Sequence, residues 1–248
     1  MDRILEQLRH SLIVSCQPQA PLDSPAYVAD LAAVMVESGA AGIRANGAER
    51  VRTIRTRIGS PIIGINKQRH EGFQVFITPT IASAREVVDA GADIVALDGA
   101  DAPRPDGSTL RELIASVHER GARVMADIST VEEGVAAAEA GADLIGTTLS
   151  GYTPYSPQQE GADLDLVAAL SEAGLPVVAE GRYNTSVLVE AAFERGAFAV
   201  VVGRAITEPR VVVQPFLTVV AARGRVALRG ESGTRLPDDN EAGQECAQ

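Results

Sequence analysis

Tryptophan is absent from the 248-residue chain, and aromatic residues make up only 4% of it. That scarcity argues against a platform on which nucleic-acid bases would stack. Positive charge is also short: 22 Lys and Arg stand against 33 Asp and Glu, a net charge of −11. A general nucleic-acid binder needs a basic face, and none is expected here. There are two cysteines, Cys16 in an apolar run and Cys246 near the C-terminus. They make neither a disulfide framework nor a metal-binding spacing, and a reducing cytosol suits them. No apolar run approaches the roughly 18 residues needed to span a membrane. The opening MDRILEQLRH is too polar for a signal peptide. What remains is an aliphatic chain long enough to bury one sizeable core.

Short apolar runs alternate with longer amphipathic stretches. Eight runs read as strands: LIVSC (12–16), GIRA (42–45), PIIGIN (61–66), DIVALD (93–98), RVMADI (123–128), DLIGTT (143–148), PVVAEG (176–181) and FAVVVG (198–203). Helical patterns lie between them near 25–38, 47–57, 80–90, 108–119, 130–140, 163–173 and 185–195, and an eighth follows at about 208–222. Such alternation implies parallel βαβ units with strands buried on both faces. A weak repeat supports it, since helix, Gly, Ala, strand recurs in AGADIVALD, RGARVMADI, AGADLIGTT and RGAFAVVVG. In each, the glycine can turn the chain back at the helix C-terminus. An open doubly wound sheet shares this pattern. The count of eight strands, and the lack of a Gly-rich dinucleotide fingerprint after the first, favour a single (β/α)8 TIM barrel over residues 1–223.

Two segments break the repeat. Residues 67–79 (KQRHEGFQVFITP) form a long insertion after the third strand, and 149–162 (LSGYTPYSPQQEGA) a long loop after the sixth. Both fall on the side where barrels build active sites. From about residue 224 the chain is polar and Gly-rich and reads as a disordered tail. The apolar stretch VVVQPFLTVV (211–220) either packs on the barrel or forms a dimer contact.

Of the 22 basic residues, only Lys67 is a lysine. A lysine amine can lose its proton near neutral pH, whereas a guanidinium cannot. Lys67 directly follows the third strand at the catalytic rim, which marks it as a candidate catalytic amine. Glu180 ends the seventh run. A carboxylate there is costly unless it is paired or functional, and an ion pair with arginine and a catalytic role fit it equally. Gly181-Arg182 and Gly203-Arg204 follow the seventh and eighth runs, where barrels commonly hold phosphate with loop amides. Gln17, Arg44, Asp98, Asp127, Thr147 and Thr148 also end or follow strands and together suit a hydroxylated ligand. His10 and His118 read as solvated helical residues, and His70 lies in the third-strand insertion. No His/Cys/carboxylate spacing indicates zinc. Asp98 with Asp127 offers a Mg²⁺ pair, but nothing in their context demands one. The stretch ERVRTIRTR (49–57) reads as a solvated, salt-bridged helix face.

These segments resemble a known family, the bacterial N-acetylmannosamine-6-phosphate 2-epimerases of sialic acid salvage. The resemblance is carried by LIVSCQ, AGIRANG, PIIGINK, ITPT, ADIVALD, PRPDGSTL, MADIST, GTTLSGYT, VVAEGR and AVVVG, over about residues 12–220. It implies a cytoplasmic, TIM-barrel isomerase that interconverts N-acetylmannosamine 6-phosphate and N-acetylglucosamine 6-phosphate with no metal or organic cofactor. It also implies Lys67 and Glu180 as the catalytic pair, with Gln17, Arg44, Asp127, Gly181, Arg182 and Gly203 contacting the substrate. The chain departs from the family pattern in places. Asn66 stands before the lysine, QRHEGF follows it, and ITEP with Glu208 stands where ITRP is usual, so Arg204 is the expected replacement on the phosphate.

The expected chemistry is removal of the C2 proton of the open-chain sugar by Lys67 and its return on the other face. Burial and neighbouring Arg44 or Arg182 are expected to lower the amine pKa toward working pH. Glu180 serves the opposite face or assists ring opening. Two other readings share these residues: a Schiff-base aldolase or lyase acting through Lys67, and a barrel that binds sugar phosphate without turning it over.

Overall fold

The computed structural model describes residues 2–222, and the tail expected from residue 224 lies outside the described residues. Eight strands run β1 (Leu12–Ser15), β2 (Gly42–Asn46), β3 (Ile62–Ile65), β4 (Ile94–Asp98), β5 (Arg123–Asp127), β6 (Leu144–Gly146), β7 (Val177–Ala179) and β8 (Ala199–Val202). They pair in parallel in chain order, and β8 pairs with β1 to close the barrel. The crossovers are α2 (Pro25–Glu37), α3 (Ala48–Arg55), α4 (Ile81–Asp89), α5 (Leu110–His118), α6 (Val131–Ala140), α7 (Leu164–Glu172) and α8 (Ser186–Glu194).

Local chemistry sets these boundaries. Ser24, Thr80, Thr109, Thr130, Asp163 and Thr185 each accept a backbone N–H at a helix start, and Thr80 and Thr109 complete capping boxes with Ser83 and Glu112. The four repeat glycines, Gly91, Gly121, Gly141 and Gly196, all have positive φ, as the turn back into a strand requires. The Arg-rich α3 buries Val51 and Ile54 and pairs Arg50 and Arg55 with Asp23 and Asp93, and Arg57, just past its end, pairs with Asp30.

Each strand alternates between two cores. Ile13, Ile63, Ile65, Met125, Val178 and Val201 point inward and pack together as the barrel interior. Val14, Ile43, Val95, Val124, Val177 and Val200 point outward against the helices. The same alternation turns Arg44, Lys67, Asp98, Asp127 and Glu180 inward at the C-terminal rim, two residues past Gly42, Ile65, Ala96, Met125 and Val178.

Three elements differ from expectation. A first helix, α1 (Arg3–Leu8), precedes β1 and was not anticipated from a polar decapeptide. Asp2 caps it while pairing with Arg123, and Leu8 is fully buried in the interior core. The helix expected over 208–222 is instead two pieces, α10 (Pro209–Val212) and α11 (Gln214–Ala222), preceded by a short α9 (Arg204–Thr207). Pro209 and Pro215 remove the donors that a continuous helix would need. The sixth and seventh strands end early: Thr147–Leu149 form a 3-10 turn and Glu180 follows β7.

Candidate active site

The C-terminal rim encloses a cavity of about 430 Å³, within the range of small-molecule sites. Gln17, Arg44, Lys67 and Glu180 line it. Gly181, Arg182, Gly203 and Arg204, after β7 and β8, complete the wall.

At its base lies a charge network. Arg44, 1% exposed, donates to both oxygens of Asp127 at 3.0 and 2.5 Å and to Glu180 Oε2 at 2.6 Å. The Thr148 hydroxyl lies 2.7 Å from Asp127 Oδ1 and 3.2 Å from Glu180 Oε2. The Thr147 hydroxyl accepts the Glu180 N–H at 3.0 Å and donates to its carbonyl at 2.9 Å, fixing that backbone. Burial would lower the Arg44 guanidinium, but Asp127 and Glu180 hold it above its ordinary value. Burial pushes Glu180 up to about 7, and Asp127 adds to this against the pull of Arg44, Thr148 and Lys67. Glu180 is thus both ion-paired and at the cavity wall, so the two readings of it are not exclusive. Asp127, expected on the sugar, is fully buried below the cavity and absent from its lining. Its oxygens are committed to Arg44 and Thr148.

Lys67 is held through its backbone. Its N–H donates to Asn46 Oδ1 at 3.0 Å, and it bridges Ile77 in antiparallel fashion. Gln68 N–H to Phe76 O (2.9 Å) and Thr78 N–H to Asn66 O (3.1 Å) tie the insertion back on itself. Ile77, 1% exposed, plugs into the interior core and anchors this return. Lys67 itself is exposed at the cavity mouth, close enough to Glu180 to favour the carboxylate. Burial by the protein, the expected cause of a lowered amine pKa, is therefore not supplied around Lys67.

On the β7–β8 side, Gly181 has φ +109 and Arg182 φ +60. Arg182 is turned partly away from the expected phosphate role: Nε donates to Gly161 O at 2.7 Å, and the guanidinium sits 5.0 Å over the Tyr152 ring. It clamps the loop after β6 while still lining the cavity. Gly203 precedes α9, and a Cβ there would sit 3.3 Å from Ser15 Cβ. Glu208, 1% exposed, accepts the Gln19 N–H at 3.0 Å and pairs with Arg210 at 3.3 Å. It staples the β1 loop and does not line the cavity.

Sequence reasoning missed Phe76, Tyr152 and Asn46. Tyr152 and Phe76 lie in the two segments that broke the repeat, and that was the available signal. His118 is paired with Asp143 at 2.7 Å rather than free in solvent. Asp98 is buried, accepts the Phe76 N–H at 3.2 Å, and is pushed up to about 6 by desolvation. Among the described residues no group of three or more His, Cys, Asp or Glu is placed to hold a metal ion, and no helix is long and apolar enough to cross a membrane.

Comparison with known proteins gives a consistent result. Residues 28–222 match the family described as "Putative N-acetylmannosamine-6-phosphate epimerase". A protein of that name from Caldanaerobacter subterraneus is 45% identical over 225 residues, spanning 89% of this chain and 95% of the relative. One from Cutibacterium acnes is 45% identical over 214 residues, spanning 84% and 93%. The solved N-acetylmannosamine-6-phosphate 2-epimerase from Clostridium perfringens superposes with TM-score 0.84 at 36% identity, over 88% of this chain and 96% of that one. A thiamine phosphate pyrophosphorylase from Pyrococcus furiosus, at 16% identity and TM-score 0.58, shares the fold alone.

Proposed function

The chain belongs to the N-acetylmannosamine-6-phosphate epimerase family, and from that premise we propose that it interconverts N-acetylmannosamine 6-phosphate and N-acetylglucosamine 6-phosphate by proton transfer at C2. The observation that carries this is Lys67, the sole lysine, at the mouth of a cavity whose base holds Glu180. In the open-chain sugar the C1 aldehyde acidifies the C2 proton. One group removes that proton, the electron pair becomes an enolate spread over C2, C1 and the C1 oxygen, and a proton returns to C2 from the other face. Lys67 and Glu180 serve the two faces. A carboxyl near pH 7 suits either direction, since it gives and takes a proton at similar cost. Arg44 and Asp127 hold Glu180 in place, and Gln17 contacts the sugar. The Gly181 and Gly203 backbones with Arg204 hold the phosphate, as Arg182 is partly committed to the loop. We place the reaction in the cytosol, in amino-sugar catabolism, where the buried thiol of Cys16 stays reduced.

The test is proton NMR of N-acetylmannosamine 6-phosphate with the protein in D2O. N-acetylglucosamine 6-phosphate carrying deuterium at C2 is expected. Borohydride trapping of a substrate adduct on Lys67 would instead favour Schiff-base chemistry.

We further infer a homodimer. Phe216, Leu217, Val219 and Val220 on α11 are each about half exposed or more, and none of the four joins the three apolar cores. Val34 on α2 and Val187 on α8, which flank the β8–β1 seam, are also exposed. A second copy's α11 fits that seam, since a patch of this kind is uncommon on a monomer. Light scattering should give twice the chain mass, and Phe216→Glu should halve it; a monomeric wild type rejects the assignment.

A further inference from the structure

Lys67 and the loops after β7 and β8 face the same cavity from different sides. Gly181, Gly203 and Arg204 line its β7–β8 side, and Lys67 stands after β3 at its mouth. The Lys67 backbone is anchored by Asn46 Oδ1 at 3.0 Å and by the bridge to the buried Ile77. Gly203 is packed against Ser15, where a Cβ would sit 3.3 Å from Ser15 Cβ. With both sides anchored in the barrel, the amine meets a carbon at a set distance along the sugar from the phosphate.

That distance has a chemical consequence. In a hexosamine 6-phosphate the reacting carbon, C2, is the fifth carbon counted from the phosphate. In an aldopentose 5-phosphate the fifth carbon is C1, the aldehyde itself. A sugar one carbon shorter, gripped by the same phosphate, brings an electrophilic carbonyl to the amine in place of an acidic C–H.

Resting on the epimerase reading, we propose that aldopentose 5-phosphates are reversible covalent inhibitors that form an imine with Lys67. The neutral amine attacks C1, its electron pair makes the C–N bond, and the carbonyl pair moves to oxygen, which takes up the proton that nitrogen loses. Glu180 lines the same cavity and keeps its proton up to about pH 7. It gives that proton to the departing hydroxyl, water leaves, and the nitrogen pair closes the C=N bond. Water reverses each step. Only an amine does this chemistry, and Lys67 is the sole lysine of the chain, exposed at the cavity mouth. The hexosamine substrate escapes because its aldehyde lies one carbon beyond the amine.

The experiment treats the intact protein at pH 7 with D-ribose 5-phosphate and cyanoborohydride, which reduces the imine to a stable secondary amine, and locates the adduct by peptide mass spectrometry. The α-amino group of the chain serves as the reference for each aldehyde's own reactivity. Labelling of Lys67 relative to that reference should be at least about tenfold higher with D-ribose 5-phosphate than with D-ribose, which lacks the phosphate, or D-glucose 6-phosphate, which carries C1 past the amine, since a misplacement of about 1 Å costs on the order of a hundredfold. Inorganic phosphate should suppress it. Equal ratios for the three sugars, or labelling that phosphate leaves unchanged, overturn the inference. A protein that epimerises N-acetylmannosamine 6-phosphate but fails this comparison rejects the inference alone. Failure to epimerise that substrate rejects the epimerase reading, and the inference with it.

Discussion

The two sides of the cavity are built in opposite ways. On the β2–β5–β7 side, Glu180 is gripped by Arg44 and Thr148, which are fixed in turn by Asp127. On the β3 side, the Lys67 backbone is held by Asn46 and the bridge to Ile77, and its side chain lies exposed at the cavity mouth. The carboxyl is tuned by burial, whereas the amine is left to be enclosed by whatever fills the cavity. In the proposed acid–base pair, Glu180 is set by folding, and Lys67 stands where a bound substrate would enclose it.

The largest effect should come from breaking the buried side. Arg44→Met leaves the buried Asp127 and Glu180 carboxyls without their cation, which costs about 3–5 kcal/mol. That should lower Tm by roughly 10 °C or more and remove most activity; thermal melts and the epimerase assay check both. Glu180→Gln keeps the shape and removes only the titrating proton. It should fold and lose roughly 10²–10⁴ in kcat, whereas near-wild-type kcat would make Glu180 merely structural.

The pH profile sharpens the contrast. Glu180 keeps its proton up to about pH 7. Below that, both members of the pair are protonated and no base remains, so kcat/KM should fall on the acid side with an apparent pKa near 7 belonging to the pair. A limb near 4.5, the ordinary carboxyl value, would contradict the raised Glu180.

The smallest effect lies outside the pair. Asp98, 3% exposed, is raised to about 6. The folded state holds a proton that the unfolded chain releases near pH 4, so stability falls as pH rises from about 4 to 6. Asp98→Asn removes this penalty and should gain roughly 2–3 kcal/mol at pH 8 and little at pH 4. Denaturant melts at the two pH values would show it.

The barrel was legible because parallel strands buried on both faces appear as unbroken aliphatic runs, and glycines such as Gly141 punctuate them. Lys67 was legible by its uniqueness. The Arg44–Asp127–Glu180 network was not, because β2, β5 and β7 meet only through closure of the barrel, and sequence distance carries no trace of that. Asp127 thus read as a sugar contact, and the bonds of its oxygens to Arg44 and Thr148 left no trace in the sequence. Arg182 read as a phosphate grip, but its clamp on Gly161 depends on the path of the loop after β6. The helix α1 escaped notice because six residues with three apolar positions give too little periodicity. The break of the last helix before Pro215 was marked in the sequence by that proline.

In the proposed reaction the Lys67 amine itself moves the C2 proton. The most direct measurement is deuterium exchange at C2, in D2O, by Lys67→Arg under conditions where the wild type epimerises fully. A guanidinium keeps the charge but cannot give up its proton, so a folded variant with neither exchange nor epimerisation is expected. Substantial exchange or turnover by Lys67→Arg would contradict the account and move the base elsewhere in the cavity.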